Sequence, residues 1–314
     1  MKAIVATDYG PPESYALTDL PIPEPGPGQI QVRIAAASVN PGDIVIPSGV
    51  YKAQAPLTFP HVPGNDFAGT VSAVGAGVAA YRVGDEVFGH AVPRALRAMA
   101  GVNPSMTTGT LAEYAVFEAG TPFIAPRPPA LSRIDAAALP TVGLTARALM
   151  ATAEPRAGET ALVIGATGGV GTTLLPLLSQ AGVTVTATGH PADEPLLRKL
   201  GAHTVIGYDD DYPTSRDLGL NLVLPTDRLQ RAAAAIRPGG RLFTITFPPP
   251  RPDMIERSDL RFELVLDLDG RFGGMAEVAA LTPTVTATYP LTGAVQALTD
   301  FAGNHTVGKL VITV

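Results

Sequence analysis

The 314-residue chain contains no cysteine. This excludes disulfides, thiolate zinc sites and cysteine nucleophiles together. Charge is sparse as well: Asp, Glu, Lys and Arg make up 16% of the residues, and the formal net charge is -6. No stretch gathers Lys and Arg into a basic stripe, so no nucleic-acid partner is expected. There is no run of about 18 apolar residues, so no membrane-spanning segment is expected. The opening "MKAIVATDYGPPE" lacks the long apolar stretch of a secretory signal, and the expected compartment is the cytoplasm. What the chain does have is apolar residues, 46% of the total, enough for a large core. Its length suits about two domains of roughly 150 residues each.

The texture changes along the chain. Residues 1–125 read as β-rich: "KAIVAT", "IQVRIAAASVN" and "TLAEYAVFEA" are strand-like. "FAGTVSAVGAGVAAYRVGDEVFG" carries short strands split by glycine turns, which suits a small barrel. Residues 91–109 read as a loop with room for one helical turn. From about residue 126 helical runs appear in "SRIDAAALPTVGLTARALMATA", with Ser132 as an N-cap. Apolar strands then alternate with helices: "TALVIGA" and the helix after it, "VTVTAT", "PLLRKLGA", "TVIGY", "LNLVLPT", "RLQRAAAAIRPGG" and "RLFTITF". That alternation is the pattern of a parallel sheet with crossover helices. "HTVGKLVITV" reads as a final strand.

The most informative stretch is "LVIGATGGVGTTLLPLLSQAGVTVTATGH", Leu162 to His190. A strand ends at Ala166, where the first glycine of G-x-G-x-x-G usually stands. Gly168 lets the backbone approach a pyrophosphate, and Gly171 lets the following helix pack close to the strand. The helix N-terminus offers its N–H groups and positive dipole end to phosphate. Pro176 lies inside this helix and is expected to kink it. An NAD site usually places Asp or Glu at the tip of the second strand, to hold the ribose hydroxyls. Here the tip is Thr188-Gly189-His190, so nothing at that point repels a 2′-phosphate, and NADPH is expected over NADH. His190 reads either as a donor to that phosphate or as a solvated turn residue.

Taken in order, "SVNPGD" at 38–43, "VPGNDFAGTVSAVGAGVAAYRVGDEVFG" at 62–89, "GTLAEYAV" at 109–116, "GATGGVG" at 165–171, "LRKLGAHTVIGY" at 197–208, "IRPGGRL" at 236–242 and "VGKLVI" at 307–312 resemble the zinc-independent quinone oxidoreductases of the medium-chain dehydrogenase/reductase superfamily. The resemblance implies an α/β architecture: a Rossmann doubly wound parallel sheet over residues 126–264, and a groES-like β-rich barrel domain from 1–125 and 265–314. It also implies NADPH, a homodimer, and reduction of a quinone or conjugated enone. Cofactor contacts are implied at Ala166, Thr167, Gly168, Gly169, Val170, Gly171, Thr188, Gly189, His190 and Tyr208, and at Thr141, Thr246 and Phe247. Where zinc-dependent relatives carry "GHE", this chain has Gly64-Asn65-Asp66. A catalytic zinc needs three protein ligands, and His61 with Asp66 finds no strong third. No metal is therefore expected, and His61 reads as a loop or core histidine.

Departures from the family pattern are also expected to matter. The stretch 209–220 is short, so one crossover helix should be reduced. A family lysine that meets the 2′-phosphate falls near Asp193. Pro248–Pro250 replace a glycine loop.

Hydride transfer needs placement of the cofactor and a donor aimed at the acceptor oxygen as it gains charge. Tyr51 and Asn40 are the candidates, from matching family positions. Tyr51 reads alternatively as an aromatic packed at a loop end, and Asn40 as a residue that shapes the loop before Pro41. Three functions stay open: an NADPH-dependent quinone or enone reductase; a reductase of a larger enone such as a polyketide or enoyl thioester, which the long loop with Arg94 and Arg97 would suit; and a cofactor-binding protein without redox turnover.

Overall fold

The computed structural model describes residues 1–53, 56–91, 109–247, 249–267 and 269–314. Most of the loop expected over 91–109, with Arg94 and Arg97, lies outside the described residues, as does Pro248. The chain divides into two compact units, Met1–Leu144 with Leu268–Val314, and Thr145–Asp267.

Strand alternation builds the first unit. β1 (Lys2–Val5) and β2 (Ala16–Asp19) form an antiparallel pair. The long β3 (Gln29–Ser38) leads into the short helix α1 (Gly42–Val45). β3 also pairs antiparallel with β4 (Asp66–Val74) and with β6 (Tyr114–Glu118). β5 (Glu86–His90) lies between β4 and β7 (Ile124–Pro126). Successive side chains of a strand point to opposite faces, and here both faces are buried. Phe67 and Val87 enter one core with Ile30, Val32 and Phe117. Their neighbours Ala68 and Phe88 enter a second core with Ala136, Ala137 and Ala138. Those alanines belong to α2 (Arg133–Ala138), which starts as expected: the Ser132 hydroxyl accepts from the Asp135 N–H at 3.0 Å. Pro140 opens α3 (Pro140–Ala153), where its missing N–H costs nothing. Because α2 packs on β3 and β4, the helical residues up to Leu144 stay with the β-rich unit.

The second unit is a six-stranded parallel sheet. Its strands are β8 (Thr160–Ile164), β9 (Thr184–Thr188), β10 (Ala202–Ile206), β11 (Arg216–Asn221), β12 (Ile236–Thr244) and β13 (Arg261–Leu264). Their order is β10-β9-β8-β11-β12-β13, so the winding reverses between β8 and β11. Doubly wound sheets bind ligands at that reversal, outside the carboxyl ends of the strands. Helix α4 (Gly169–Gln180) follows β8 and runs on through Pro176. α5 (Glu194–Lys199) precedes β10, and α6 (Gln230–Ala235) precedes β12. No helix joins β10 to β11, as the short 209–220 stretch suggested.

Two boundaries differ from the sequence reading. The helix of "RLQRAAAAIRPGG" ends at Ala235, because Pro238 lacks an N–H and disfavours the helical region for Arg237. The pairing of β12 with β11 shifts register across this segment. β11 ends at Asn221 instead of running through "LVLPT", because the Asn221 side chain accepts from the Leu224 N–H at 2.9 Å and donates to the Leu224 carbonyl at 2.8 Å, closing a turn.

The chain then returns to the first unit through α7 (Met275–Val278), β14 (Val285–Pro290), α8 (Ala294–Gly303) and β15 (Lys309–Thr313). β15 sits between β14, to which it is parallel, and β3, to which it is antiparallel. Among the described residues, no helix is long and apolar enough to cross a membrane.

Candidate active site

In the second unit the glycine-rich turn lies at the carboxyl end of β8. Helix α4 is twelve residues long, starts after Gly168, and no side chain caps its N-terminus. A Cβ on Gly168 would meet nothing nearer than the Gly165 carbonyl at 3.6 Å, so the approach to this helix end is open. Gly171 is the opposite case: a Cβ there would lie 2.4 Å from the Ala166 carbonyl oxygen. Open backbone N–H groups at a helix start fit the pyrophosphate of a dinucleotide. Gly171→Ala should therefore push α4 off β8, lowering stability by about 1–3 kcal/mol and weakening cofactor binding with it. Chemical denaturation and cofactor titration of the variant check this; unchanged values for both would refute the packing role.

The other residues implied as cofactor contacts take the following places. The Thr188 hydroxyl is fully buried and accepts from the Gly165 N–H at 2.9 Å, tying the tip of β9 to the start of the glycine turn. A Cβ on Gly189 would meet Leu197 Cδ1 at 2.6 Å, so a larger residue at the tip would displace the end of that leucine. Tyr208 and Thr167 share a hydrogen bond of 2.8 Å, and the His190 ring meets Tyr208 edge-on at 5.0 Å. Burial raises the Tyr208 hydroxyl above the ordinary phenol range. Asp193 reaches back to the same tip, where its carboxylate accepts from the His190 N–H at 3.2 Å. The Thr246 hydroxyl donates to the Leu224 carbonyl at 2.7 Å and accepts from Asn221 at 3.1 Å. Phe247 is half-buried beside it, and Ala166 is buried. Two residues escaped the sequence reading. Asn221, fully buried, orders the ends of β11 and β12. Arg231 donates to the Tyr208 carbonyl at 3.3 Å and lies over the Tyr212 ring at 4.0 Å.

The first unit holds a buried polar network centred on Asp66, the first residue of β4, which is 0% exposed. The antiparallel register sets it directly opposite His90 on β5. His90 Nδ1 lies 2.9 Å from Asp66 Oδ1. The Thr141 hydroxyl donates to Oδ1 at 2.7 Å, and the Thr141 N–H reaches both oxygens at 3.2 Å. Asp66 thus accepts from the first turn of α3, where a carboxylate is favoured by the helix dipole. On the other side, Asn40 Nδ2 donates to Asp66 Oδ2 at 3.0 Å. Lys309 donates to Asn40 Oδ1 and to the Val39 carbonyl, both at 2.7 Å, and lies 3.7 Å from Asp66. Burial alone would raise the Asp66 carboxyl, but the bond from His90, the Lys309 ammonium and Thr141 outweigh it and hold it below the usual carboxylate range. Burial lowers the Lys309 ammonium, against the attraction of Asp66 and Asp43. Asp43 accepts from the Asn40 and Gly64 N–H groups, and burial pushes it up to about 7.

Asn40 is therefore a member of a scaffold, with its donor and acceptor groups both engaged inside the protein. Tyr51 differs: it lies half-buried in the turns after α1, and its hydroxyl makes no hydrogen bond among the described residues. Thr141 joins Asp66 and His90, which links one implied cofactor position to a histidine that sequence inspection did not single out. His61 pairs through its backbone with Ala6, and burial pushes its ring down to about 4, so it is neutral. Among the described residues, no three His, Asp or Glu side chains are grouped to hold a metal.

Comparison with known proteins matches the family model "Alcohol dehydrogenase GroES-like domain" to residues 26–128 and "Zinc-binding dehydrogenase" to residues 200–312. The quinone oxidoreductase of Rattus norvegicus is 30% identical, across 99% of this chain and 96% of that protein. The NADPH-dependent alkenal/one oxidoreductase of Arabidopsis thaliana chloroplasts is 29% identical, across 99% of this chain and 79% of that protein. Among solved structures, the quinone oxidoreductase from Coxiella burnetii superposes with a TM-score of 0.87 at 27% identity, covering 100% of this chain and 99% of that one.

Proposed function

The chain belongs to the quinone oxidoreductase family of the medium-chain dehydrogenase/reductase superfamily, and from that premise we propose that it reduces a quinone or a conjugated enone with NADPH. The observation that carries this reading is the uncapped helix start at Gly168, set where the winding of a parallel sheet reverses. When bound, the reduced nicotinamide supplies the hydride. The protein's own residues hold the rest. Gly168, Gly169, Val170 and Gly171 receive the pyrophosphate on their backbone. Thr167 and Tyr208, with Gly189 and His190, line the adenosine end. Thr246 and Phe247 are assigned to the nicotinamide side. Tyr51 donates a hydrogen bond to the acceptor oxygen as charge gathers there, and Asn40 supports the scaffold behind it. The reading uses no metal. It places the enzyme in the cytoplasm as a homodimer. The deciding experiment is an NADPH-oxidation screen across quinones, enones and enoyl thioesters; absence of turnover on all three classes would remove the proposal.

NADPH is favoured because no acid occupies Thr188, Gly189 or His190, and because the Arg231 guanidinium stands beside Tyr208. Asp193 at the same tip limits the preference. NADPH should bind more tightly than NADH by about 1–2 kcal/mol, the scale of one charge-assisted contact. Calorimetric titration with both nucleotides measures the difference, and tighter NADH binding would reverse the assignment.

A further inference from the structure

A connection between parallel strands usually carries a helix, and the one from β10 to β11 does not. β10 ends at Ile206 and β11 begins at Arg216, with β9 and β8 between them in the sheet. Residues 207–215 must therefore cross about 14 Å of sheet and also run back along a strand, roughly another 17 Å. A helix of that many residues would span only about 14 Å, too short for the diagonal, so the crossover is open. An open segment leaves its carbonyls without ladder or helix partners. Arg231 of α6 supplies two of them: Nη1 donates to the Tyr208 carbonyl at 3.3 Å and Nη2 to the Asp210 carbonyl. Its guanidinium also lies over the Tyr212 ring at 4.0 Å, and Tyr212 packs on the core that α6 shares with β8 and β12. Asp209, Asp210 and Asp211 are exposed along the crossover, and the Asp210 carboxylate turns back to accept from the Gly207 N–H at 2.7 Å. At the start of the same segment, the Tyr208 hydroxyl meets Thr167 at 2.8 Å, next to the glycine-rich turn. All of these residues belong to the second unit.

We propose that Arg231 is a positioning residue for the cofactor: its guanidinium fixes the open crossover, and the fixed crossover holds Tyr208 against Thr167. This rests on the reading above that Thr167 and Tyr208 line the adenosine end of a nicotinamide dinucleotide. In place of a crossover helix, one side chain from the next helix does the ordering. Arginine suits the task because its planar fork can donate to two carbonyls and stack on an aromatic face at once, which the point charge of lysine cannot. The segment carrying Tyr208 is then ordered before the nucleotide arrives, so binding does not have to meet that entropic cost. The benefit falls on the adenosine half, which NADH and NADPH share. The attraction between the Arg231 charge and a 2′-phosphate is a separate contribution, made to NADPH alone.

Arg231 is exposed, so replacing it opens no cavity in the core. Arg231→Ala should weaken NADH binding about 10-fold, the scale of one or two lost hydrogen bonds, and NADPH binding by at least as much. Arg231→Lys keeps the charge but neither the fork nor the plane, and most of the NADH loss should remain. Because Arg231 acts through Tyr208, adding Arg231→Ala to Tyr208→Ala should weaken NADH by less than about 3-fold more. Calorimetric titration of the wild-type protein and the three variants with both nucleotides reads every arm. NADH affinity of Arg231→Ala within about 2-fold of wild type overturns the proposal. A loss confined to NADPH overturns it in favour of direct contact with the 2′-phosphate, and wild-type affinity in Arg231→Lys overturns it in favour of charge alone. Full additivity of Arg231→Ala with Tyr208→Ala overturns the route through Tyr208. Should Arg231→Ala not fold, the lysine variant decides by itself. A wild-type protein that binds neither nucleotide removes the reading on which the proposal rests, a separate outcome.

Discussion

Replacing Lys309 by methionine should cost the protein about 3–5 kcal/mol of stability, the range found when one partner of a buried ion pair is removed. Methionine fills much of the lysine's length, so the loss is electrostatic and not a cavity. Lys309 is 4% exposed, and its ammonium lies 3.7 Å from the fully buried Asp66 carboxylate. It is also the donor to the Val39 carbonyl and to Asn40 Oδ1. Without it, a carboxylate is left in the core against Asp43, and two buried acceptors lose a partner, each a recognised cost. The melting temperature should fall by on the order of 10 °C. Adding Asp66→Asn to Lys309→Met should recover part of the loss, because the stranded charge goes with it. Thermal and chemical denaturation of the two variants decide the matter: a single-variant loss under about 1 kcal/mol would mean the network contributes little.

Tyr51→Phe should lower kcat about 10- to 1000-fold while leaving the fold and NADPH affinity nearly unchanged. Losing one donor to a developing oxyanion has consequences on that scale. The structure makes the experiment clean, since the Tyr51 hydroxyl has no hydrogen-bond partner among the described residues and phenylalanine keeps the ring. Steady-state kinetics separate the outcomes. A fall in kcat assigns the hydroxyl to the transition state, whereas a rise in KM alone assigns it to ground-state binding. Wild-type turnover would take Tyr51 out of the chemistry.

The glycine-rich turn and the parallel sheet around it were legible because their signals are local. Strand, glycines and helix occupy one continuous stretch from Thr160 to Gln180, and the alternation that follows names the sheet class. The Ser132 cap and the shortening of the crossover after β10 were readable for the same reason, although the sequence suggested a reduced helix and the structure has none there. The Asp66 network was not. Its members, at positions 40, 66, 90, 141 and 309, meet only through the register of β4 with β5 and of β15 with β3 and through the first turn of α3. "VGKLVI" drew notice as a family signature, yet nothing in it tells that the lysine is buried. His90 follows "GDEVFG" as the last residue of a strand, where a polar residue is ordinary. Asn40 drew attention as a donor to substrate, and the structure instead engages its amide with Ser38, Asp66 and Lys309. Where helix gave way to strand at Ile236, the proline two residues later carried the signal, and the alanine run outweighed it.

The position of β15, interior to its sheet yet nearly last along the chain, also orders events on the ribosome. Residues 145–267 are contiguous and can complete their sheet as soon as they emerge. The unit that precedes them cannot, because β3 must wait for β15 and Asp66 must wait for Lys309. At about 5–20 residues per second, that wait is roughly 12–50 s. Throughout it the nascent β-rich segment has an unpaired inner strand edge and a carboxylate without its counter-charge, so the part made first is the part finished last.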